Sequence, residues 1–319
     1  MKKSNLFIVG VAKGGTTSAY NILKQHNNIF MSPLKEPHHF STDINPKGFR
    51  KDYKSSYISD KNLKKYLDSN MNEEVFLAYI REEVDYHKLF KNINNEKYLG
   101  EISNSYLYSK VAAENIYKYN SESKIVMILR DPIERAFSHY LMDLRMGFVN
   151  GAFTDEVIKD FQADNKGWGI TNQYIELGLY YSQVKRYIEQ FPKEQIHIMY
   201  FDDLKKDSKK VYTKLFEFLN LNYDDYDFSI LETKQNKAKL PKRYFKLIND
   251  FLAKSGIKNI VLNLLGKDIK SKIKNFIYTD KNIPKLSSPD REALSIYFRS
   301  DIDKLEKLLD KDLSNWKKI

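Results

Sequence analysis

The segment LFIVGVAKGGTTSAYNIL, residues 6–23, limits the folds open to this chain more than any other stretch. An apolar run leads into a glycine-rich turn and then into a helix-like stretch. Backbone N–H groups at such a turn bind anionic oxygens, helped by the positive end of the helix dipole. Gly10 and Gly15 have the spacing of the nucleotide-binding loop G-x-x-x-x-G-K-[ST]. However, Thr16 follows the second glycine, and the lysine of this loop is Lys13. The segment therefore predicts a phosphate site that differs from the usual nucleotide loop.

The composition is that of a globular chain with a basic surface. The 319 residues are 42% hydrophobic and 30% charged, and the formal net charge is +11. This charge favours an anionic partner, such as nucleic acid, acidic lipid, acidic glycan or a polyphosphate ligand. The chain has no cysteine, which excludes disulfides, thiolate zinc sites and cysteine nucleophiles and fits a reducing compartment.

The apolar stretches predict a soluble, cytoplasmic protein. None of them approaches the length of about 20 residues that a membrane span needs. The first ten residues contain two lysines and a short apolar run. Because that run ends in the glycine loop rather than at a cleavage site, we do not expect a signal peptide.

Strand-like and helix-like segments alternate along the chain, which predicts an α/β protein with a P-loop-type, three-layer fold in which helices flank a central parallel sheet. The run IVMIL is apolar throughout, as expected for a strand covered on both faces. We expect a single domain over residues 1–319, with a basic insertion or lid around 234–285. The predicted strands are Leu6–Val9, Ile29–Ser32, Tyr98–Ile102, Ile125–Leu129 and Gln195–Tyr200. The predicted helices are Thr16–His26, Ile133–Arg145, Leu179–Gln190, Ser208–Leu219 and Asp290–Leu309.

A second segment, KIVMILRDPIERAFSHY, has further candidate phosphate ligands. Arg130 follows a predicted strand, at the edge where open α/β sheets bind ligands. Asp131 suits a helix cap and Pro132 a first helical position, although an acid after an apolar strand also resembles a magnesium ligand. Ser138 lies two helical turns beyond Arg130, and an arginine fork with a serine hydroxyl can bind phosphate.

These two segments, with SPLKEPHHF between them, resemble the sulfotransferases that use 3′-phosphoadenosine 5′-phosphosulfate (PAPS), above all the carbohydrate, heparan-sulfate-like branch and its bacterial relatives. The resemblance implies PAPS as the donor and adenosine 3′,5′-bisphosphate as a product. It implies no required metal, because a sulfuryl group carries less negative charge than a phosphoryl group. It also implies that Lys13, Gly14, Gly15, Thr16, Thr17 and Ser18 hold the 5′-phosphosulfate and that Arg130 and Ser138 hold the 3′-phosphate.

The same resemblance implies the catalytic groups. Glu36 of SPLKEPHHF matches the general base that acts on the acceptor hydroxyl, and His38 matches a position that lines the site. Lys13 would act on the leaving phosphate, and Lys35 would orient the donor or the acceptor. An alternative stays open in which His38 or His39 is the base, since other branches use histidine.

The segment GEISNSYL departs from the family pattern. Glu101 and Tyr106 match it, but Ile102 and Asn104 stand where related enzymes often carry lysine and proline. The missing lysine removes an expected contact to the sulfuryl group or to the acceptor. Glu101 is the next candidate base if neither Glu36 nor a histidine acts.

The sequence thus predicts transfer of the sulfuryl group of PAPS to an acceptor hydroxyl, with a sugar or glycan as the acceptor and no nucleic acid as a partner. Two other functions stay open. A P-loop kinase or ATPase would need the lysine after Gly15 that is missing here. A non-catalytic binder of polyanions, or of acidic membranes at their surface, would use the lysines and the apolar block at 257–265.

Overall fold

The computed structural model describes residues 2–54, 56–224, 226–232, 240–241, 278–279 and 283–319. None of the helices within these ranges combines the length and apolar composition of a membrane span. The strands, in chain order, are β1 (Leu6–Gly10), β2 (Ile29–Met31), β3 (Leu34–Lys35), β4 (Val75–Phe76), β5 (Tyr98–Ile102), β6 (Lys124–Leu129), β7 (Ile196–Tyr200), β8 (Leu240–Pro241) and β9 (Tyr278–Thr279). The helices are α1 (Thr16–Lys24), α2 (Lys51–Lys54), α3 (Asp60–Asp68), α4 (Glu83–Lys88), α5 (Ser105–Tyr108), α6 (Ala112–Tyr119), α7 (Pro132–Met146), α8 (Phe153–Phe161), α9 (Tyr180–Gln190), α10 (Phe201–Phe218) and α11 (Ser288–Leu309).

The chain divides into two compact units. The insertion or lid predicted around 234–285 lies outside the described residues, apart from 240–241, 278–279 and 283–285. The first unit comprises Met1–Asn45, Ile58–Asp131 and Tyr180–Lys234. The second comprises Pro46–Tyr57, Pro132–Leu179 and Gln235–Ile319.

A five-stranded parallel sheet forms the centre of the first unit, and its order is β2–β5–β1–β6–β7. Strand β1 pairs in parallel with both β5 and β6, which places the glycine loop that follows it in the middle of the sheet. All of β5 and all of β6 after its first residue are buried, as expected when helices cover both faces. The predicted α/β fold with a central parallel sheet is confirmed.

The two faces of this sheet are covered by different helices. On one face, α1 and α10 enclose an apolar cluster that includes Ile8, Val126 and Ile128. Phe7 points to the other face, where its ring meets Phe40 at 5.5 Å. There α5 contacts β1, and α9 packs against α5 and α6. Two helical layers around one sheet give the predicted three layers.

Helix α10 starts earlier than the sequence pattern predicts. The predicted helix begins at Ser208, whereas α10 begins at Phe201 and contains non-helical backbone at Asp207 (φ −153°, ψ 81°). The Asp207 carboxylate accepts a hydrogen bond from the backbone N–H of Lys210, as a helix cap does. The turns before Asp207 contain only two apolar residues, Phe201 and Leu204, which are too few for a sequence pattern to show a period.

In the second unit, α11 contacts both α7 and α8. A capping box starts α11: the Ser287 side chain accepts from the N–H of Asp290, and the Asp290 side chain accepts from the N–H of Ser287. The Phe298 ring lies over Gly178, where a Cβ atom would come within 2.8 Å of it. The buried residues of α11 are Leu294, Phe298, Ile302 and Leu305, all on the predicted apolar side.

Candidate active site

Most of the predicted site residues follow the carboxyl ends of neighbouring parallel strands in the first unit. Residues 11–15 follow β1, residues 103–105 follow β5, and Arg130 follows β6. Because these strands are parallel, their carboxyl ends meet at one edge of the sheet. The KEPHHF segment joins this edge, since the N–H of Glu36 donates to the Ile102 carbonyl at 2.9 Å.

The glycine loop lies directly against β6. A Cβ atom on Gly14 would come within 2.6 Å of the Ile128 carbonyl oxygen, so only glycine fits there. Gly15 has a φ of 101°, which glycine adopts without steric cost, and α1 begins at the next residue. This backbone course places a helix N-terminus immediately after the loop, as an anion-binding loop requires. The residues present fit the phosphosulfate group that the sequence predicts.

Lys35 lies close to the first turn of α1. Its Nζ atom donates to Thr17 Oγ1 at 2.6 Å, and the Tyr20 hydroxyl donates to the Ser32 carbonyl at 3.0 Å. Burial lowers the pKa of the Lys35 ammonium, while the carboxylates of Glu36 and Glu74 act to raise it. The KEPHHF segment is therefore attached to the phosphate-binding loop and brings a second lysine to it.

Arg130 lies beside the glycine loop. Its Nη1 donates to the Lys13 carbonyl at 3.2 Å, and its guanidinium lies 4.3 Å from the ring centre of Phe201. Arg130 is half-buried at the end of β6, with its guanidinium packed on the Phe201 ring in a cation–π contact. Ser138, the other predicted ligand of the 3′-phosphate, is half-buried on α7 in the second unit. Its action together with Arg130 stays a prediction.

Glu36 and His38 form a buried carboxylate–imidazole pair. Glu36 Oε2 lies 3.4 Å from His38 Nε2, and Glu36 Oε1 accepts from Asn104 Nδ2 at 2.7 Å. The Glu36 side chain is 6% exposed, whereas that of His38 is 0% exposed. Both residues are thus buried, and Glu36 is the more exposed of the two. Both residues have positive φ, 63° for Glu36 and 49° for His38, which is uncommon for residues with a Cβ atom.

The hydrogen bonds of His38 define its neutral tautomer. The Ser41 hydroxyl donates to the His38 carbonyl at 3.2 Å, so it accepts from the Ser105 hydroxyl at 2.9 Å. Ser105 then has only its acceptor position left for His38 Nδ1, at 2.5 Å, which makes Nδ1 the protonated nitrogen. Burial lowers the pKa of His38, although Glu36 acts to raise it. A neutral ring of this tautomer turns a basic Nε2 towards Glu36.

His39 lies in a different environment. Its Nδ1 is 3.0 Å from the Ile80 carbonyl, and its ring stacks on Tyr86 at 4.3 Å. Burial lowers the pKa of His39 to about 4. These contacts belong to the aromatic cluster around Phe40 and give no support to His39 as the base.

Glu101 is connected to the KEPHHF segment through hydrogen bonds to Ser103 and Tyr106. Its carboxylate is 1% exposed and accepts from the hydroxyls of Tyr86 at 2.9 Å, Tyr106 at 2.7 Å and Ser103 at 2.9 Å. Ser103 in turn accepts from the N–H of His38, and Tyr106 accepts from the N–H of Phe40. Both oxygens of Glu101 are thus engaged in holding the segment, which disfavours it as the base.

Because of Glu101, we expect the free energy of unfolding to fall as pH rises. Burial raises the pKa of its carboxyl from 4.5 to about 7, against the three hydroxyl donors. Between these values the folded protein keeps a proton that the unfolded chain releases, so the free energy of unfolding should decrease with pH by about 3 kcal/mol in total. Urea unfolding of the parent and of Glu101→Gln between pH 4.5 and 8 measures this decrease. We expect it to be lost in Glu101→Gln but kept in Glu122→Gln, which changes an exposed carboxyl; parallel curves for all three would contradict the prediction.

Two supporting residues were not predicted from the sequence. Arg81 donates to the carbonyls of His38 at 2.9 Å and Ile44 at 2.6 Å, which fixes the loop between them. Asn104 stands out in the sequence only as a departure from the family pattern. Its place just after the carboxyl end of β5, where parallel sheets bind ligands, could have identified it as a site residue. Nothing near Arg81 in the sequence marks it.

The fold and the site together define a class of enzyme. The loop is shaped for an anionic group, and the KEPHHF segment, which carries Glu36, is attached to it through Lys35 and Thr17. A family model described as the sulfotransferase domain matches residues 3–258. The chain belongs to this family, and its fold is that of a sulfotransferase.

Individual relatives agree with this assignment. The crystal structure of a sulfotransferase from Alicyclobacillus acidocaldarius is 26% identical, with a TM-score of 0.70 and coverage of 100% of both chains. Carbohydrate sulfotransferase 15 of Mus musculus is 23% identical over 259 residues, which cover 68% of this chain and 44% of that protein. Heparan sulfate glucosamine 3-O-sulfotransferase 5 of Mus musculus is 26% identical over 220 residues, or 67% and 52% of the two chains. The chain spans about half the length of these curated relatives.

Proposed function

We propose that this protein transfers the sulfuryl group of PAPS to a hydroxyl group of a carbohydrate acceptor. The family supports sulfuryl transfer, and the names of two similar proteins, a carbohydrate sulfotransferase and a heparan sulfate sulfotransferase, support a sugar as the acceptor. The one-domain organisation and the cytoplasmic location stay predictions from the sequence.

In this proposal the chain's own residues hold the two substrates and move one proton. PAPS supplies the sulfuryl group and leaves as adenosine 3′,5′-bisphosphate. Lys13, the glycines and the hydroxyls at the start of α1 hold its 5′-phosphosulfate, and Arg130 with Ser138 holds its 3′-phosphate. Glu36 takes the proton of the acceptor hydroxyl as that oxygen attacks sulfur.

One observation supports Glu36 as the base more than any other. Its side chain is 6% exposed, whereas that of His38 is 0% exposed, so the carboxylate is the less enclosed of the two candidate bases. The 3.4 Å between Glu36 Oε2 and His38 Nε2 keeps a second basic atom beside the carboxylate. In the proposal, His38 stabilises the proton that Glu36 takes up, because Nε2 can then accept a hydrogen bond from the protonated carboxyl.

The first test is binding of adenosine 3′,5′-bisphosphate. Calorimetry in EDTA should show binding, and ATP with magnesium should bind more weakly. Strict dependence on magnesium would favour a kinase.

The second test is transfer from radiolabelled PAPS to a panel of sugars, with phenols and aliphatic alcohols as the comparison. Label on the non-sugar alcohols alone would refute the carbohydrate acceptor while leaving sulfuryl transfer intact.

Arg130→Ala should weaken the binding of adenosine 3′,5′-bisphosphate by about 10- to 100-fold, since a lost charge-assisted hydrogen bond costs about 1.5–3 kcal/mol. The turnover at saturating PAPS should change less, because the 3′-phosphate is remote from sulfur. Calorimetry and single-turnover transfer separate the two effects. Lys118→Ala, which removes an exposed cation on α6, is the matched control. An unchanged affinity in Arg130→Ala would show that this arginine does not contact the ligand.

A further inference from the structure

We propose that Asn104 is a positioning residue that holds one oxygen of Glu36 and so directs the acceptor's proton to the other. The proposal rests on the function proposed above. It starts from a contact between two segments 68 residues apart: Asn104 Nδ2 donates to Glu36 Oε1 at 2.7 Å. Asn104 directly precedes α5 and follows the carboxyl end of β5.

The chemistry of the two groups fixes the orientation of the amide. An ionised carboxylate only accepts hydrogen bonds, so the NH₂ group of Asn104 must face Glu36. Its Oδ1 then points away, and this atom is buried with no hydrogen-bond partner among the residues that the structure describes. A buried acceptor without a partner is unfavourable. The amide is therefore kept in place by its contact with the carboxylate and by packing, rather than by bonds of its own oxygen.

The two oxygens of Glu36 consequently have different surroundings. Oε1 is held by a neutral donor that does not titrate, whereas Oε2 faces the basic Nε2 of His38 at 3.4 Å. A proton that arrives on Oε2 lies next to a second base, but one that arrives on Oε1 would make that oxygen a poorer acceptor for the amide.

The backbone of Glu36 is fixed by its neighbours. Its φ of 63° is unfavourable for a residue with a Cβ atom. The backbone N–H donates to the Ile102 carbonyl at 2.9 Å, and the Glu36 carbonyl accepts from Ala78 N–H at 3.0 Å. Three attachments, two from the backbone and one from Asn104, hold the carboxylate in one place.

Asn104→Asp is the sharpest test because it keeps the shape and replaces the donor with a second carboxylate. Two carboxylates at this distance share one proton near neutral pH. The other ionisable groups facing Glu36 are Lys35 and His38 on its own segment and Glu101 on β5. We expect the acidic limb of the pH–rate profile to move up by at least about one pH unit.

Asn104→Ala should slow single-turnover transfer by about tenfold, with the affinity for adenosine 3′,5′-bisphosphate within about twofold of the parent's.

Infrared difference spectroscopy gives a readout that needs no acceptor. Beside the Glu101 carboxyl, which the parent also keeps protonated towards neutral pH, the Asn104→Asp protein should show a second such carboxyl group, and this additional signal should disappear when Glu36→Gln is added. Asn115→Asp is the matched control, because that amide donates to the Phe40 carbonyl and not to Glu36. The same titration in Asn104→Asp with and without Glu36→Gln would overturn the proposal. If the parent binds adenosine 3′,5′-bisphosphate but transfers no sulfate, the proposed function fails while the infrared result still decides the role of Asn104.

Discussion

Glu36→Gln is expected to slow sulfuryl transfer by about 10²- to 10⁴-fold, the usual contribution of a positioned general base. The affinity for adenosine 3′,5′-bisphosphate should stay within about twofold of the parent's, because glutamine has nearly the same shape and the base faces the acceptor. Single-turnover transfer from saturating PAPS to a sugar accepted by the parent measures the first effect, and calorimetry measures the second.

His38→Ala is the comparison that separates the two candidate bases. If the imidazole only supports Glu36, its removal should slow transfer by much less than Glu36→Gln does. A Glu36→Gln enzyme within about threefold of the parent, beside an inactive His38→Ala enzyme, would assign the base to the imidazole instead. Since His38 is fully buried, thermal unfolding of both variants must accompany the kinetics.

Lys13→Met should lower turnover by about 10²- to 10³-fold, which is the loss seen when one group that stabilises developing transition-state charge is removed. The lysine lies in the loop itself, at a φ of 70°, and negative charge develops on the leaving phosphate as the bond to sulfur breaks. Methionine keeps the length of the side chain and removes its charge. Single-turnover kinetics measure the loss of rate.

The controls for Lys13 separate charge from backbone strain. Lys118→Met removes a cation from the exposed face of α6 and should leave transfer unchanged. Lys13→Gly relaxes the positive φ and also removes the charge, so it should be as slow as Lys13→Met. Transfer by Lys13→Met at the parent's rate would show that the lysine is not at the leaving phosphate, and Lys35 would become the candidate.

The sequence predicted the sheet well because its strands are long apolar runs. Tyr98–Ile102 was predicted with the observed bounds, and Leu6–Val9 and Ile125–Leu129 each miss one residue. Of the short elements between them, β2 was predicted with one residue too many, whereas β3, β4 and α5 were not predicted. β3 and β4 have two residues each, which is too few for a period to show, and α5 is a single turn.

The site was predicted in its parts but not in its connections. The loop, KEPHHF and Arg130 were identified from motifs, and the structure brings all three to one edge of the sheet. The bonds from Lys35 to Thr17 and from Asn104 to Glu36 join segments 18 and 68 residues apart. Such pairings depend on how strands align in space. No local pattern of residues records them.

The positive φ angles of Glu36 and His38 set stability against activity within one short loop. Glycine or asparagine at either position would adopt this backbone more easily. Substitutions that relieve the backbone strain should therefore replace Glu36 or His38. In the proposed function, the chemistry of Glu36 and its support by His38 keep a glutamate and a histidine there. A screen of variants for thermal stability alone could therefore select proteins that have lost activity through changes in this loop.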